Sequence, residues 1–287
     1  MDPAPRQPPV SATRMLVVSR RAGSMNDQLE AKLRTAFADH LVVDFDPSQD
    51  LDKLLSPKAR IVVAGGDGSV EFVVRKFADS RHPIGIVPLG TFNNLARALS
   101  IPTDLDRAIE VARDGRSRAI TLGRVNGRIF VEACAIGLFG ETIALGDQAK
   151  DMEFGKLAGK LKDVIAARRF HNELTGDIEG GGSAMSLVFS NTSTIGSQLQ
   201  ISDRTPIDPH LEFSVHAGRT RTDIVERAVK SALLKQSGDG ADQVFRFGKL
   251  EVKTKPRVRV YADNFLVGRT PATITAETSA LKVLLPK

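Results

Sequence analysis

A strand, a glycine loop and a helix follow one another from the stretch Ile61-Val62-Val63-Ala64-Gly65-Gly66-Asp67-Gly68-Ser69 onward. The first four residues are apolar and mostly β-branched, which predicts a buried strand. After the glycines, the apolar residues Val70, Val73, Val74 and Phe77 share one helical face. Glycines let backbone N–H groups turn inward, and a helix N-terminus carries positive potential. The stretch therefore predicts a phosphate-binding loop, and an ordinary strand-to-helix turn or an Asp-Gly hairpin turn is the alternative.

Composition and charge are those of a soluble globular protein. The 287 residues are 41% hydrophobic and 26% charged, enough for one large or two ordinary domains. A balance of 40 basic against 34 acidic residues gives a net charge of +6. That excess suits acidic membrane surfaces, nucleotides or nucleic acid without selecting one of them. Aromatic residues make up only 5% of the chain, which argues against a single-stranded nucleic-acid binder.

The cysteine count and the N-terminus indicate a cytoplasmic protein. Cys134 is the only cysteine, so an internal disulfide is excluded and a reducing compartment is expected. Residues 1–13 contain four prolines and almost nothing apolar, which predicts a disordered tail rather than a signal peptide. No apolar run approaches the roughly 18 to 20 residues that a membrane span needs.

Strands alternate with helices over residues 14–120, where apolar runs at 14–19, 41–45, 61–64 and 83–88 are separated by helical patterns. This alternation predicts a wound parallel sheet with crossover helices. Ligands bind such sheets at the carboxyl ends of the strands. The segments 19–24, 65–69 and 90–94 follow three of these strands, so we expect them to converge on one crevice.

The second half of the chain, residues 121–287, is predicted to be mainly antiparallel β. Asn126-Gly127 is a strong hairpin-turn signal between strands at 121–125 and 128–131. Two helices, near 147–170 and 223–236, interrupt further strands predicted at 185–190, 211–215, 245–253, 257–261, 272–275 and 281–285. The fold class expected is α/β, with an N-terminal wound parallel nucleotide-binding domain and a C-terminal antiparallel β-sandwich. The domain boundary is placed near residue 120.

The predicted helix at 150–170 combines a basic surface with an apolar stripe. It carries six Lys or Arg against three Asp or Glu, so a net positive face accompanies residues such as Leu157 and Leu161. Such a helix either packs its stripe on the β domain, which we favour, or lies on an anionic membrane surface. His210 and His216 flank a predicted strand and are interpreted as structural residues.

Two motifs resemble the diacylglycerol kinase catalytic domain family, which includes bacterial lipid kinases. The first is Gly65-Gly66-Asp67-Gly68-Ser69; the second, about twenty residues later, reads Pro-Leu-Gly-Thr-Phe-Asn-Asn-Leu-Ala-Arg over residues 88–97. Both motifs in this order and at this separation are a strong match. Weaker similarity continues through the second half, so the resemblance covers nearly the whole chain. Sphingosine kinases are close kin of this family, and NAD kinases are distant relatives.

The resemblance implies a lipid kinase with ATP and Mg²⁺ as its cofactors. Carried over residue by residue, it implies a nucleotide-binding set of Ser19, Gly65, Gly66, Asp67, Gly68, Ser69 and Thr91. It also implies catalytic roles for Asp67, Arg97 and Asp263, and a metal ligand in Asp208. Phosphoryl transfer depends mostly on positioning and charge neutralisation, which glycine N–H groups and cations supply.

Several acidic positions of the family are changed in this chain. The family's Asp residues are replaced by Asn94 and Thr121, and the Asp-Gly-x-Leu turn of its metal site reads Asp208-Pro209-His210-Leu211. The Glu of an Asp-Gly-Glu motif, its expected general base, is replaced by Phe265. Phenylalanine cannot accept a proton, and loss of a general base typically costs ~10²–10⁴-fold in rate. Asp263 itself or Glu71 is the candidate for a displaced acid.

Three functions therefore stay open at this point. The favoured one is an ATP-dependent kinase that phosphorylates the hydroxyl of a diacylglycerol-like lipid at a membrane surface. The second is a nucleotide- or lipid-binding module of the same fold without efficient transfer, and the third is a soluble kinase of the NAD-kinase type. We expect a lipid substrate and peripheral attachment to the inner membrane face, no nucleic-acid partner, and we leave a homodimer open.

Overall fold

The structure, a computed structural model, describes residues 11–141, 169–195, 199–200, 202, 204–216 and 244–287. The chain forms two compact units. The first unit comprises Met1–Ala96, Ser100–Arg118 and Leu281–Lys287, and the second comprises Arg97–Leu99 and Ala119–Ala280. The helices predicted near 147–170 and 223–236 lie outside the described residues, apart from the last two positions of the first.

The first part of the chain alternates strands and helices as predicted. In order, its elements are β1 (Ala12–Val18), α1 (Asp27–Ala36), β2 (Leu41–Asp44), a 3-10 turn (Leu51–Leu54), β3 (Leu55–Gly65), α2 (Asp67–Phe77), β4 (Pro83–Pro88), α3 (Asn94–Ala98) and α4 (Leu105–Asp114). Side chains of Asn26 and Asp104 cap α1 and α4 by accepting the N–H groups of Leu29 and Arg107.

The described residues of the second part of the chain are mostly strands, and residues 138–141 are helical. The strands are β5 (Arg116–Val125), β6 (Arg128–Phe130), β7 (Ala133–Gly137), β8 (Phe170–Gly176), β9 (Gly180–Ala184), β10 (Ser186–Ser190), β11 (Thr194–Ile195), β12 (Leu199–Gln200), β13 (Leu211–His216), β14 (Val244–Phe247), β15 (Lys249–Lys255), β16 (Arg259–Ala262), β17 (Phe265–Arg269) and β18 (Ala272–Leu285).

A parallel sheet with the strand order β2-β1-β3-β4 forms the centre of the first unit. The end of β18 adds a further parallel strand, with Lys282 beside Pro83 and Val283 beside Ile84. This pairing is why residues 281–287 belong to the first unit, although the sequence assigned them to the second domain.

Apolar side chains cover both faces of this sheet. In β3 the consecutive residues from Ile61 to Ala64 are fully buried, as in strands packed on both sides. Val62 and Ala64 pack in one cluster with Leu33 of α1, with its C-cap residue Phe37 and with residues of α4. Since side chains alternate along a strand, Ile61 and Val63 face the opposite side.

Two antiparallel sheets form the second unit. One has the order β14-β13-β10-β7-β16-β17; in the other, β15 lies between β8 and the Ala272–Thr275 part of β18, and β9 pairs with β8. Their facing side chains share one core, in which Leu250 and Ile274 of one sheet accompany Leu187 and Phe213 of the other. The predicted fold class, with a parallel α/β part and an antiparallel part, is confirmed.

The strands of the second half differ in detail from the prediction. Phe170 opens β8 instead of ending a helix, and the glycine-rich β9 was not expected because its sequence has no apolar alternation. Gly248 divides the strand predicted at 245–253 into β14 and β15. The two strands predicted at 272–275 and 281–285 are one continuous strand, β18. Asn126 and Gly127 both have positive φ, which confirms the predicted hairpin turn.

Candidate active site

Ser19 and Gly65 meet where the strand order reverses in the first unit. β1 and β3 are neighbours, and their carboxyl ends bring Ser19 beside the start of the glycine loop; its N–H donates to the Ala64 carbonyl at 2.9 Å. A Cβ at Gly65 would lie 2.1 Å from Ser69 Oγ and 3.0 Å from Ser19 Cβ. Gly65 is therefore required by the protein's own packing. Such reversals are the usual ligand crevices of open α/β sheets.

Helix α2 begins inside the predicted glycine loop. Gly66 is its N-cap residue, so Asp67, Gly68 and Ser69 form the first turn rather than a loop before it. The buried Ser69 hydroxyl donates to the Gly66 carbonyl at 2.9 Å and closes that turn. The first N–H groups of a helix have no acceptor within it, so α2 presents a cluster of backbone donors here.

The loop after β4 packs directly against this helix start. A Cβ at Gly90 would lie 2.7 Å from Gly66 Cα, so the two backbones are in contact where both residues are glycine. The Asn93 amide braces the loop, since its Oδ1 accepts the Gly90 N–H at 2.9 Å and its Nδ2 donates to the Gly90 carbonyl at 2.8 Å. Asn93 has φ 54°, a left-handed conformation that asparagine tolerates better than most residues.

The Asp67 carboxylate joins the two loops. Its Oδ2 accepts the Asn93 N–H at 2.9 Å and its Oδ1 accepts the Asn94 N–H at 2.7 Å. Both oxygens therefore hold the start of α3 against the start of α2. The sequence predicted a catalytic role for Asp67, and the geometry gives this side chain a positioning role in addition.

The turn after β1 completes this arrangement. Ser24 donates to the Leu89 carbonyl from its backbone N–H at 3.4 Å and from its hydroxyl at 2.9 Å. A Cβ on Gly23 would lie 3.7 Å from the Thr91 hydroxyl. The structure thus brings together the three segments that the sequence predicted to converge, with Thr91 exposed among them.

Asp263 is held by backbone donors in the second unit. Its carboxylate accepts the N–H groups of three successive residues, Val131, Glu132 and Ala133, at 2.8 to 3.2 Å. Its own N–H donates to the Ala133 carbonyl at 2.7 Å. This buried carboxylate fixes the connection between β6 and β7, and the same contacts occupy lone pairs that proton transfer would need.

Neutral and cationic donors surround the backbone of Asp208. Its carbonyl accepts the Thr121 hydroxyl at 2.7 Å and Arg204 Nη2 at 3.1 Å. Asn191 connects the same network, because its Oδ1 accepts Arg204 Nη2 at 3.0 Å and its Nδ2 donates to the carbonyls of Thr121 and Val131. Thr121, which was predicted to replace a family Asp, thus serves as a hydrogen-bond donor.

A magnesium site built from acidic side chains does not fit the described residues. Within residues 11–141, 169–195, 199–200, 202, 204–216 and 244–287, no three His, Cys, Asp or Glu side chains come together. Asp208 is the predicted metal ligand, and its backbone carbonyl already accepts the Thr121 hydroxyl and Arg204 Nη2. Glu71, a candidate displaced acid, pairs with Arg75 at 3.2 Å on α2.

Two further predicted positions are exposed. Arg97 lies in α3 and groups with the second unit. Phe265, which was predicted from the sequence to replace a general base, is 43% exposed, and the Arg128 guanidinium carbon lies 5.4 Å from its ring centre. The roles predicted for Arg97 and Asp208 stay predictions.

Comparison with known proteins bears on the two motifs. Residues 16–125 match the family described as the diacylglycerol kinase catalytic domain. The resemblance to that family is confirmed. A diacylglycerol kinase of Staphylococcus carnosus is 40% identical over 79 residues, and one of Bacillus subtilis is 25% identical over 236 residues. The first alignment spans 27% of this chain and 26% of the relative; the second spans 79% and 78%.

Solved structures share the fold at lower identity. A diacylglycerol kinase of Bacillus anthracis gives a TM-score of 0.71 at 18% identity, covering 95% of this chain and 96% of that one. An NAD kinase of Archaeoglobus fulgidus in complex with ATP gives 0.53 at 15% identity, covering 96% and 93%. The two-part fold is therefore that of diacylglycerol kinases and, more distantly, of NAD kinases.

Three residues whose hydrogen bonds hold these segments in place were not identified from the sequence: Asn93, Asn191 and Arg204. Asn93 had a detectable signal, because an Asn-Asn pair between glycine and a helix favours a left-handed turn residue. Asn191 and Arg204 had none, since their partners are backbone carbonyls and an amide brought close only by the fold.

Because the Asp67 carboxylate joins the two loops, removing its charge should destabilise the fold. In Asp67→Asn, an amide NH₂ replaces one acceptor and faces a backbone N–H, so the unfolding free energy should fall by about 1–3 kcal/mol. Urea unfolding followed by circular dichroism measures the change. Asp46→Asn is the matched control, because Asp46 also accepts two bonds, from the Ser48 N–H and hydroxyl, but on an exposed turn. Equal stability of both variants would show that the bridge does not hold the loops.

Proposed function

We propose that this chain is an ATP-dependent lipid kinase that transfers a phosphoryl group to the hydroxyl of a diacylglycerol-like lipid at a membrane surface. The match to the catalytic domain of diacylglycerol kinases supports a kinase. Relatives named diacylglycerol kinase, and a putative lipid kinase of Staphylococcus haemolyticus that is 27% identical over 234 residues, support a lipid as the acceptor.

Gly68 is the observation that carries the nucleotide part of the proposal. It lies in the first turn of α2, is exposed, and has no positive φ. A Cβ there would meet nothing within 4 Å, so neither packing nor backbone conformation requires a glycine. The missing side chain leaves open space in the first turn of α2, the turn whose backbone N–H groups have no acceptor within the helix. Phosphate oxygens fit that space and that charge.

The residues of the first unit would bind and orient the nucleotide. The N–H groups at the start of α2 face the phosphates, and the helix dipole favours their negative charge. Asp67 fixes the loop that carries Thr91 through Asn93 and Asn94. Because phosphoryl transfer depends on alignment more than on covalent chemistry, a rigid loop pair is a direct contribution to rate.

ATP is the proposed phosphoryl donor, and Mg²⁺ is the ion expected to bind with its phosphates. Bound together with a nucleotide, Mg²⁺ would neutralise phosphate charge. Asp208 is the acidic residue predicted to reach it. The described residues supply no acidic cluster for the ion, so no step is assigned to it.

Peripheral attachment to a membrane is part of the proposal because the acceptor is a lipid. No helix among the described residues is long and apolar enough to cross a bilayer. The basic helix predicted at 150–170 lies outside the described residues, apart from its last two positions. A cytoplasmic location at the inner membrane face and a homodimer also stay proposals.

Gly68→Ala tests the nucleotide proposal. The methyl group would occupy the space assigned to a phosphate, so ATP affinity measured by calorimetry should fall at least about tenfold, while the melting temperature does not fall, because alanine favours a helix more than glycine does. Gly182→Ala is the control, since a Cβ at Gly182 also meets nothing within 4 Å and the residue lies in β9 of the second unit. Unchanged ATP affinity in Gly68→Ala would contradict the assignment of this helix start.

A lipid panel tests the reaction itself. Radiolabelled ATP with Mg²⁺ and mixed-lipid vesicles should yield a labelled lipid, and diacylglycerol is the acceptor expected. Asp67→Ala should abolish the label because it releases the loop that positions the nucleotide. If no lipid is labelled while ATP still binds, the kinase proposal is wrong and a binding module takes its place.

The second candidate function is a nucleotide- or lipid-binding protein without efficient transfer. The observation that favours it is the Asp263 carboxylate, whose oxygens accept three backbone N–H groups instead of facing an acceptor hydroxyl. Phe265 beside it cannot take a proton from the lipid. Transfer would then lack a general base.

Restoring a carboxylate separates the two functions. In Phe265→Glu an exposed ring is replaced by an exposed carboxylate, so folding should be unaffected and labelled lipid should increase at least about tenfold. Leu266→Glu is the matched control, because Leu266 is the next residue and is 54% exposed. An increase in neither variant or in both would contradict the assignment of position 265 to the base.

A further inference from the structure

The turn at Asp208 holds a buried positive charge that belongs to the chain. Arg204 is 3% exposed, and its Nη2 donates to the Asp208 carbonyl and to Asn191 Oδ1. Buried guanidinium groups normally face a carboxylate at close range, whereas both of these acceptors are neutral oxygens. Neutral carbonyl and amide oxygens of this kind are also common ligands of hard cations.

We propose that the guanidinium of Arg204 occupies the cation position of this turn, so that the segment 204–212 is ordered by an internal arginine and not by a metal ion. The inference does not depend on the proposed kinase activity.

The backbone carbonyl oxygens around the turn already accept donors of the chain. A carbonyl oxygen has two lone pairs, and that of Asp208 accepts both the Thr121 hydroxyl and Arg204 Nη2. The carbonyls of Thr121 and Val131 accept Asn191 Nδ2. The Glu132 carbonyl accepts the N–H groups of Asn191 and Thr192. Hard-oxygen ligands that a metal would use are thus engaged by donors of the chain.

Charge around Arg204 supports the same assignment. The carboxylates of Asp208 and Glu212, two acids of the segment, attract the Arg204 guanidinium. Its Nε–H is buried and has no acceptor among the described residues, so the contacts of Nη2 and the net charge carry the interaction.

Thr121 has a defined role in this arrangement. Its N–H donates to the Pro206 carbonyl at 2.7 Å and its hydroxyl donates to the Asp208 carbonyl, so it ties β5 to the turn from both ends. A carboxylate at this position would have no proton to donate and would place a negative charge against the carbonyl. The replacement of an acid by Thr121 and the presence of Arg204 are consistent with a site that has exchanged its metal for a side chain.

Hydrogen exchange tests the inference locally in the full chain without nucleotide. Arg204→Gln should speed exchange of the Thr121 and Asp208 N–H groups, which bond to Pro206 and Thr205, at least about tenfold because the acceptors of the guanidinium lose their donor. Arg246→Gln is the matched control, since Arg246 is 76% exposed and pairs with Glu212 at 3.5 Å. Equal exchange in the two variants would overturn the proposal.

The metal dependence of the melting temperature supplies a second test. The melting temperature of the nucleotide-free wild type, followed by circular dichroism because the chain has no tryptophan, should be the same in excess MgCl₂ and in EDTA. If Mg²⁺ raises the melting temperature and Asp208→Asn removes the rise, a metal occupies the turn and the proposal is wrong.

Discussion

The carboxylate of Asp67 is the contact on which the candidate nucleotide site depends. Each of its oxygens accepts one N–H group, from Asn93 and from Asn94, and both donors lie on the segment that follows the neighbouring strand. Because β3 and β4 are parallel neighbours, their carboxyl ends lie side by side, and a single carboxylate can join the segments that leave them. One side chain therefore sets the spacing of two loops.

The glycines of this region divide into two groups by their physical roles. Gly65, Gly66 and Gly90 are required by the protein itself, since a Cβ at each would meet backbone or side-chain atoms of the adjoining loop or helix turn. Gly68 has no such neighbour. The motif thus combines residues that let the loops approach with one residue that leaves space for something else, and only the second kind points to a ligand.

Much of the first unit was predictable, because its strands are continuous apolar runs and its helices have one apolar face. The convergence of three segments followed from a rule about parallel strands that needs no side-chain detail.

The second unit was less predictable. The glycine-rich β9 and the edge strand β17 lack alternation, and Phe170 looked like the end of a helical pattern although its side chain lies in the sandwich core. Asn191 and Arg204 could not be found at all, because backbone acceptors leave no trace in the sequence.

Acidic residues of the second unit show that a motif match does not by itself establish a mechanism. The sequence retains Asp263, but its carboxylate accepts three backbone N–H groups and thereby fixes the connection between β6 and β7. Thr121 and Arg204 both donate to the Asp208 carbonyl. In both places donors of the chain itself satisfy the buried acceptors, which holds the turn and the strand connection in position. The local shape therefore follows from these contacts, whether or not a carboxylate takes part in phosphoryl transfer.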